Sequence, residues 1–423
     1  MIPRIKTNLI KYFFFGNSIT DDGYLRLAYL LGRFLVFLPL SICATLVLGI
    51  YSIFRPVKIF ILRCDRSKIS FIVSEFELAL RIESYNNSQP KTKIKRYFAV
   101  LDCQSPNQAL TAMYRRVLPF FDNDQPFLRG ILRYVFPTLR IEKQYLRKYQ
   151  QLDQLEIWAE RPPSIFFNSA ERSEGSRLNK KLFGDNAASF ITIGISEKSY
   201  YTNEHKPIDI KSRNIELCMP IWDNYFSVCN ELILRGERIV RMGKLIDGPL
   251  PLSANSQIID YAKNHRSEFG DIWLLGNCKF VIAGGTGLYW VSSAFNKPSV
   301  LTDCYNLHLT SFGPQDLCIP QLAWSRSEKK LKTLEWIFAQ GDGWGHKRSL
   351  IEGDIEIVKN SAEEITEVVL EMDQRLNGTW IETDEDIELQ NRFRKLRDVV
   401  PKNRVQESVQ IGADFLRRYQ HLL

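Results

Sequence analysis

Apolar positions along this chain recur in two alternating periods, one suited to short strands and the other to helices. Lys68–Val73 and Lys95–Asp102 are short apolar runs that read as strands, with a helix-like segment Glu75–Ile82 and a polar loop over 83–91 between them. Strand, helix, strand is the signature of a parallel sheet. Helical spacing follows at Leu110, Met113, Val117 and Leu118, and Leu146–Trp158 is a further helical candidate. Turn-formers and charges over Asn168–Ser176 read as a loop. The alternation then restarts. Ser189–Ile195 reads as a strand, and Cys218–Arg235 as a helix with Ile221, Tyr225, Val228, Leu232 and Leu234 on one face and Gly236 as its stop. Arg238–Arg241 is a strand, Asp271–Asn277 a short helix or turn, and Lys279–Ala283 a strand. Gly287–Phe295 is a helix and Ser299–Thr302 a strand. Ser361 with Glu364 forms a capping box for a helix to Asn377, which Gly378 ends.

This order predicts an α/β chain with two Rossmann-like domains, 61–185 and 186–378. An N-terminal region, 1–60, precedes them, and a basic helical tail, 379–423, follows. Within the first region, Phe34–Phe54 holds 21 positions without a charge, bracketed by Arg33 and Arg55. About 20 apolar residues span a bilayer as a helix, and Pro39 and Gly49 are tolerated in one. The stretch is too long and too far from the start for a cleavable signal peptide. Basic residues flank it on both sides, so charge does not fix its orientation. It predicts membrane attachment with the bulk of the chain on the cytoplasmic face. A buried helix of the soluble part is the alternative.

Hydrophobic residues make up 45% and charged ones 25%, so the chain is long and apolar enough to bury cores. The net charge of +8 suits an anionic surface or substrate and is too diffuse to indicate nucleic acid. Asn391–Leu423 concentrates eight Lys/Arg against three acids, a solvated helix face or a contact for anionic lipid. The eight cysteines include no C-x-x-C pair and the five histidines are scattered, so no metal-ligand spacing appears. Their apolar settings suit a reducing compartment.

Candidate chemistry gathers where strands end. Gly284-Gly285-Thr286-Gly287 joins a strand to a helix, and such a turn directs backbone N–H groups outward, where a phosphate binds. It is not G-x-G-x-x-G and no Walker lysine follows, which disfavours dinucleotide or ATP binding. A turn serving only tight packing is the alternative. Arg241, with Gly243 just after it, ends a strand where a guanidinium can take a diphosphate bidentately or close a salt bridge. Arg213 and Asn214 form either a ligand-contacting loop or a helix cap. Glu197 follows a strand and is the candidate general base, or else an ordinary loop acid, with Asp260 and Asp271 as weaker candidates. The D-x-D triplets Asp122–Asp124 and Asp384–Asp386 have the ligand type for a hard cation but are short enough to arise by chance.

Taken in order, Arg213-Asn-Ile-Glu216, Arg235-Gly-Glu-Arg-Ile-Val-Arg-Met-Gly243, Ile259-Asp-Tyr-Ala262, Asp271, Cys278-Lys-Phe280, Gly284-Gly-Thr-Gly287, Asp316-Leu-Cys-Ile-Pro320 and Asn360–Glu367 resemble a bacterial family of surface-polysaccharide glycosyltransferases. The resemblance covers roughly 70–377 and is strongest from 190 onward. It implies a GT-B-like fold, distantly similar to fucosyltransferases, and transfer from a nucleotide sugar to a glycan or glycolipid acceptor without an obligatory metal or other cofactor. It also implies a C-terminal donor domain, with Arg241, Gly243 and the 284–287 turn against the donor phosphates. The family shows a His-x-Arg-Asp-like stretch where this chain has Gly194-Ile-Ser-Glu197, so Ser196 stands in place of the arginine. That departure implies either a tolerant mechanism or a chain that binds nucleotide or glycan without turnover. A nucleotide-sugar epimerase shares the double-Rossmann architecture but needs no membrane segment.

Overall fold

The computed structural model describes residues 58–64, 69–88, 95–101, 105–118, 120–121, 158, 161–185, 189–199, 219–250, 257–304, 313–340, 353–399 and 410–423, with scattered positions between 35 and 50. The elements are β1 (Lys58–Cys64), α1 (Ile69–Ser88), β2 (Lys95–Leu101), α2 (Gln108–Arg115), β3 (Phe120–Phe121), α3 (Ser169–Phe183), β4 (Phe190–Ile195), α4 (Asp223–Leu234), β5 (Arg238–Arg241), α5 (Glu268–Asn277), β6 (Val281–Gly284), α6 (Tyr289–Ala294) and β7 (Ser299–Cys304). They continue with β8 (Leu317–Pro320), β9 (Leu322–Ser325), β10 (Lys330–Leu331), α7 (Leu334–Ala339), β11 (Ile355–Val358), α8 (Ala362–Asn377), α9 (Asp384–Val399), β12 (Gln410–Ile411) and α10 (Ala413–Arg418).

Contacts divide the chain into two units. One holds a three-stranded parallel sheet in the order β1-β2-β3, with Lys58 opposite Lys95. The other holds α1 as far as Tyr85, α2, and the described residues from Trp158 onward. A single cut near residue 185 does not describe this division, because α1 and α2 pack with the later part of the chain.

The larger unit is built on a six-stranded parallel sheet in the order β12-β8-β7-β6-β4-β5. β4 is Phe-Ile-Thr-Ile-Gly-Ile and is buried throughout, as are β6, β7 and β8. Strands without an alternating polar face need cover on both sides. Two groups of helices supply it: α4 packs on α8, which meets α10, while α5 packs on α2, α3 and α6. Burial of each large aliphatic side chain, such as Ile191, Ile193, Val240, Ile282 and Leu317, contributes about 1.5–3 kcal/mol. A small antiparallel sheet, β10-β9-β11, sits in the same unit and had no counterpart in the sequence pattern.

Two expected elements differ. Of Lys68–Val73, expected as a strand, the described residues Ile69–Val73 begin α1 instead. Ile72, Val73, Phe76, Leu78 and Ala79 are all fully buried, so this helix is apolar nearly all round at its start and its period is hidden. Its buried polar residues are paired: Glu77 accepts from Arg81 at 2.8 Å, and Arg81 also donates to Asn296 Oδ1 at 2.8 Å and the Ala294 carbonyl at 2.9 Å. Residues 168–176, expected as a loop, open α3 through a capping box, with Asn168 Oδ1 accepting from the Glu171 N–H at 2.9 Å and Glu171 accepting from the Asn168 N–H at 2.8 Å. The turn-forming composition there is the composition of a helix start.

The expected 34–54 membrane segment lies largely outside the described residues. Its described positions are helical, and Leu35, Ile42, Leu46, Val47 and Ile50 are exposed. Among the described residues no helix is long and apolar enough to cross a membrane. The C-terminal tail packs onto its own unit. Arg417 pairs with Asp386 at 2.7 Å, Arg418 with Glu367 at 2.8 Å, and β12 joins the sheet edge beside β8.

Candidate active site

The chain enters the sheet at β4, passes through α4 to β5 on one side, and returns to place β6 on the other side. The order therefore reverses between β4 and β6. In an open parallel sheet, ligands bind outside the carboxyl ends of the strands at such a switch point. Ser196 and Glu197 follow β4 there, Arg241 ends β5 with Gly243 just beyond it, and Gly284 ends β6 with Gly285–Gly287 following. Five of the expected site positions, Glu197, Arg241, Gly284, Gly285 and Thr286, thus occupy three neighbouring strand ends, with Gly243 and Gly287 in the segments that follow. Arg213 and Asn214 lie outside the described residues.

Glu197 and Arg241 meet each other. Arg241 Nη2 donates to Glu197 Oε1 at 2.7 Å, and its Nη1 donates to Asp260 Oδ2 at 3.1 Å and the Gly248 carbonyl at 2.9 Å. Asp260 is within reach because residue 259 bridges beside Val240 at the edge of β5. The Trp222 ring lies under the guanidinium, 5.2 Å from its centroid, and Trp222 Nε1 donates to Glu197 Oε1 at 3.0 Å. Glu197 Oε2 accepts from the Asp247 N–H at 2.6 Å. Arg241 is 1% exposed and Glu197 6%. The guanidinium expected to face a diphosphate is therefore enclosed, and both oxygens of the expected base already accept hydrogen bonds. Together they hold the 243–250 segment. Asp247 extends this hold by accepting from the Ser199 N–H at 2.6 Å. Burial raises its carboxyl, but these hydrogen bonds outweigh that and keep it below the usual range. A Cβ on Gly243 would press on Ile246, so its glycine serves the same fold-back.

The glycine turn combines packing with open donors. A Cβ on Gly284 would collide with the Tyr225 hydroxyl, and one on Gly287 would crowd Ser70 of α1. Gly285 has φ +61°, which only glycine adopts freely. The N–H groups of Thr286 and Gly287 find no hydrogen-bond partner among the described residues, whereas that of Gly285 faces β7 beside Thr302. Thr286 Oγ1 accepts from the Leu288 N–H at 3.4 Å. On the β4 side, the Ser196 N–H donates to the Gly284 carbonyl at 2.9 Å and Ser196 Oγ donates to the Gly285 carbonyl at 2.5 Å.

Beneath the turn lies a buried polar network that nothing in the sequence pattern announced. The Tyr225 hydroxyl is 2.6 Å from Thr302 Oγ1 and donates to Asp303 Oδ2 at 3.3 Å. Asp303, at φ +53°, donates its N–H to Asn360 Oδ1 at 2.6 Å and accepts from the Asn360 N–H at 2.9 Å. Burial pushes the Asp303 carboxyl up to about 6, against hydrogen bonds from Asn360, Gln321 and Tyr225 that favour its charge. Asp271, the weaker base candidate, is likewise pushed up to about 6 by burial although Arg266 pairs with it at 2.7 Å.

Of the D-x-D triplets, Asp122 and Asp124 lie outside the described residues. Asp386 caps α9 by accepting from the Thr383 N–H at 3.0 Å and pairs with Arg417, so its carboxylate has structural partners. Among the described residues no group of three His, Cys, Asp or Glu is placed to hold a metal ion.

No family model matches the chain, and no curated protein does. Similar solved structures include the glycosyl transferase family 9 protein from Veillonella parvula DSM 2008, at 10% identity and a TM-score of 0.41, over 75% of this chain and 97% of that one. The iron-containing dodecameric glycosyltransferase TibC from enterotoxigenic E. coli H10407 is similar at 12% identity and a TM-score of 0.30, over 61% of each chain. The dodecameric heptosyltransferase TibC in complex with ADP-D-beta-D-heptose gives 12% and 0.30 over 62% of each. Likenesses at this level are too loose to bear on the donor or the acceptor.

Proposed function

We propose that this chain is a membrane-attached glycosyltransferase that moves a sugar from a nucleotide-sugar donor to a lipid-linked or surface-polysaccharide acceptor. The observation that carries the reading is the turn at the sheet's switch point, with unpartnered backbone N–H groups at Thr286 and Gly287. The ordered motifs of the glycosyltransferase resemblance support it, and the uncharged 34–54 stretch between basic flanks supports attachment.

In this reading the donor diphosphate lies over the turn. Transfer breaks the bond between the anomeric carbon and the diphosphate oxygen and forms one to an acceptor hydroxyl, whose proton must leave. Charge grows on the departing diphosphate, and fixed N–H dipoles stabilise it without reorganising. That assigns the leaving-group charge to the backbone, with no metal required. In this reading Glu197 takes the proton, and Arg241, paired with it at 2.7 Å, holds the 243–250 segment. The enclosure of Glu197 favours a second reading, a nucleotide- or glycan-binding protein without turnover.

The test is thermal unfolding of the full chain in detergent with ADP, GDP, UDP, CDP and dTDP. A ligand at 100 times its Kd adds about 2.7 kcal/mol. One nucleotide should raise the midpoint, and Gly285→Val, which places a branched side chain at φ +61°, should abolish the rise. No rise with any of them, in a protein that melts cooperatively, sinks the donor-site reading. Binding without sugar release across acceptor lipids supports the second reading.

A further inference from the structure

We infer that Ser196 is a positioning residue for the diphosphate site, its hydroxyl setting the orientation of the peptide between Gly285 and Thr286. The inference rests on the reading of the turn as that site. The base of the turn is held from two directions. Gly284 is packed against the Tyr225 hydroxyl, which is itself tied to Thr302 and Asp303, and its carbonyl accepts from the Ser196 N–H at 2.9 Å. One residue further on, the only hydrogen bond to the Gly285 carbonyl among the described residues comes from Ser196 Oγ, at 2.5 Å.

The carbonyl and N–H of a trans peptide point in opposite directions. With the Gly285 carbonyl drawn to Ser196, the Thr286 N–H faces away from β4. Gly285 has no Cβ to resist rotation about its own bonds, and its φ of +61° is one of several it can adopt. Without the hydroxyl, this peptide is free to turn over and the donor with it. Ser196 is 7% exposed, so water competes poorly for the bond. Its side chain does not need to touch ligand. It acts by fixing which way a backbone donor points.

The test measures Kd for the nucleoside diphosphate that stabilises the full chain, and for the matching monophosphate, by calorimetry in wild type, Ser196→Ala, Ser196→Thr and Gly285→Val. Loss of one oriented donor should weaken diphosphate binding about fivefold in Ser196→Ala. Monophosphate binding should change less, and Ser196→Thr, which keeps the hydroxyl, should restore the wild-type ratio. A merely structural serine would lower the melting midpoint and leave the ratio of the two affinities unchanged, which overturns the inference. If Ser196→Ala does not melt cooperatively, Ser196→Cys, a weak donor of similar volume, carries the same expectation. Unchanged binding in Ser196→Ala with binding lost in Gly285→Val overturns the role of Ser196 alone. Equal binding in Gly285→Val, or none in wild type, overturns both the inference and the site.

Discussion

Replacing Arg241 by methionine tests whether the buried pair at the ends of β4 and β5 is held as the geometry shows. The change keeps an unbranched apolar stem and removes three hydrogen bonds, to Glu197 at 2.7 Å, Asp260 at 3.1 Å and the Gly248 carbonyl at 2.9 Å. The Glu197 side chain is 7% exposed, so its carboxylate is left buried without a counter-charge. Breaking such a pair from one side costs about 3–5 kcal/mol. Glu197 retains donors from Trp222 Nε1 and the Asp247 N–H, which places the expected loss near the lower end, about 3 kcal/mol. Glu197→Gln removes the charge but keeps the shape, and Arg241 still has Asp260, so about 1.5 kcal/mol is expected. In the double variant no carboxylate at 197 remains to be stranded, and the loss should stay near that of Arg241→Met. The coupling is then about 1.5 kcal/mol, well within the range for residues in contact. Urea midpoints read by tryptophan fluorescence, at a shared m-value, give each corner of the cycle. Losses that simply add, to within about 0.5 kcal/mol, would refute the pair.

Three further outcomes follow from particular residues. Asp303 binds its proton more tightly in the folded chain than in the unfolded one, so its contribution is full below about pH 4 and is lost as pH rises through 6. Against Asp303→Asn, wild type should therefore lose up to about 3 kcal/mol of unfolding free energy between pH 4 and 7, and parallel pH profiles would exclude the shift. Gly175→Ala should destabilise by about 1–3 kcal/mol in chemical denaturation although alanine favours helix, because its Cβ would enter the Trp273 indole; a stabilised variant would mean the two helices separate easily. Gly378→Ala, at φ +70° with open space around it, should cost about 1 kcal/mol in the same assay, and no loss would mean the turn relaxes.

Much of the larger unit was legible because its signals are local. Ser361 and Glu364 reach each other within one turn, and Gly378 adopts the left-handed conformation expected of a helix stop. Arg238–Arg241 was legible as a strand between a helix stop and a glycine. The same capping grammar at Asn168 and Glu171 was hidden by a surplus of turn-formers, and α1 was hidden because burial on every side removes the helical period. At the candidate site the residues were legible but their partnerships were not. Glu197, Arg241 and Asp260 come together only when β5 lies beside β4 with Arg241 opposite Ile193, and residue 259 lies beside Val240. No spacing in one dimension announces that. The Tyr225–Asp303–Asn360 network has the same origin, drawing on α4, β7 and the approach to α8.

The two-residue strand β12 closes the sheet on the β8 side, pairing Gln410 with Leu317 and Ile411 with Cys318 across a long excursion of chain. Pairings so distant in sequence form late, because the intervening chain must be ordered first. Until it docks, β8 offers unpaired N–H and C=O groups along an apolar strand, the template on which copies of a chain join edge to edge. Refolding of this protein should therefore be a race between β12 and neighbouring molecules, with recovery falling as concentration rises even though the finished sheet is guarded.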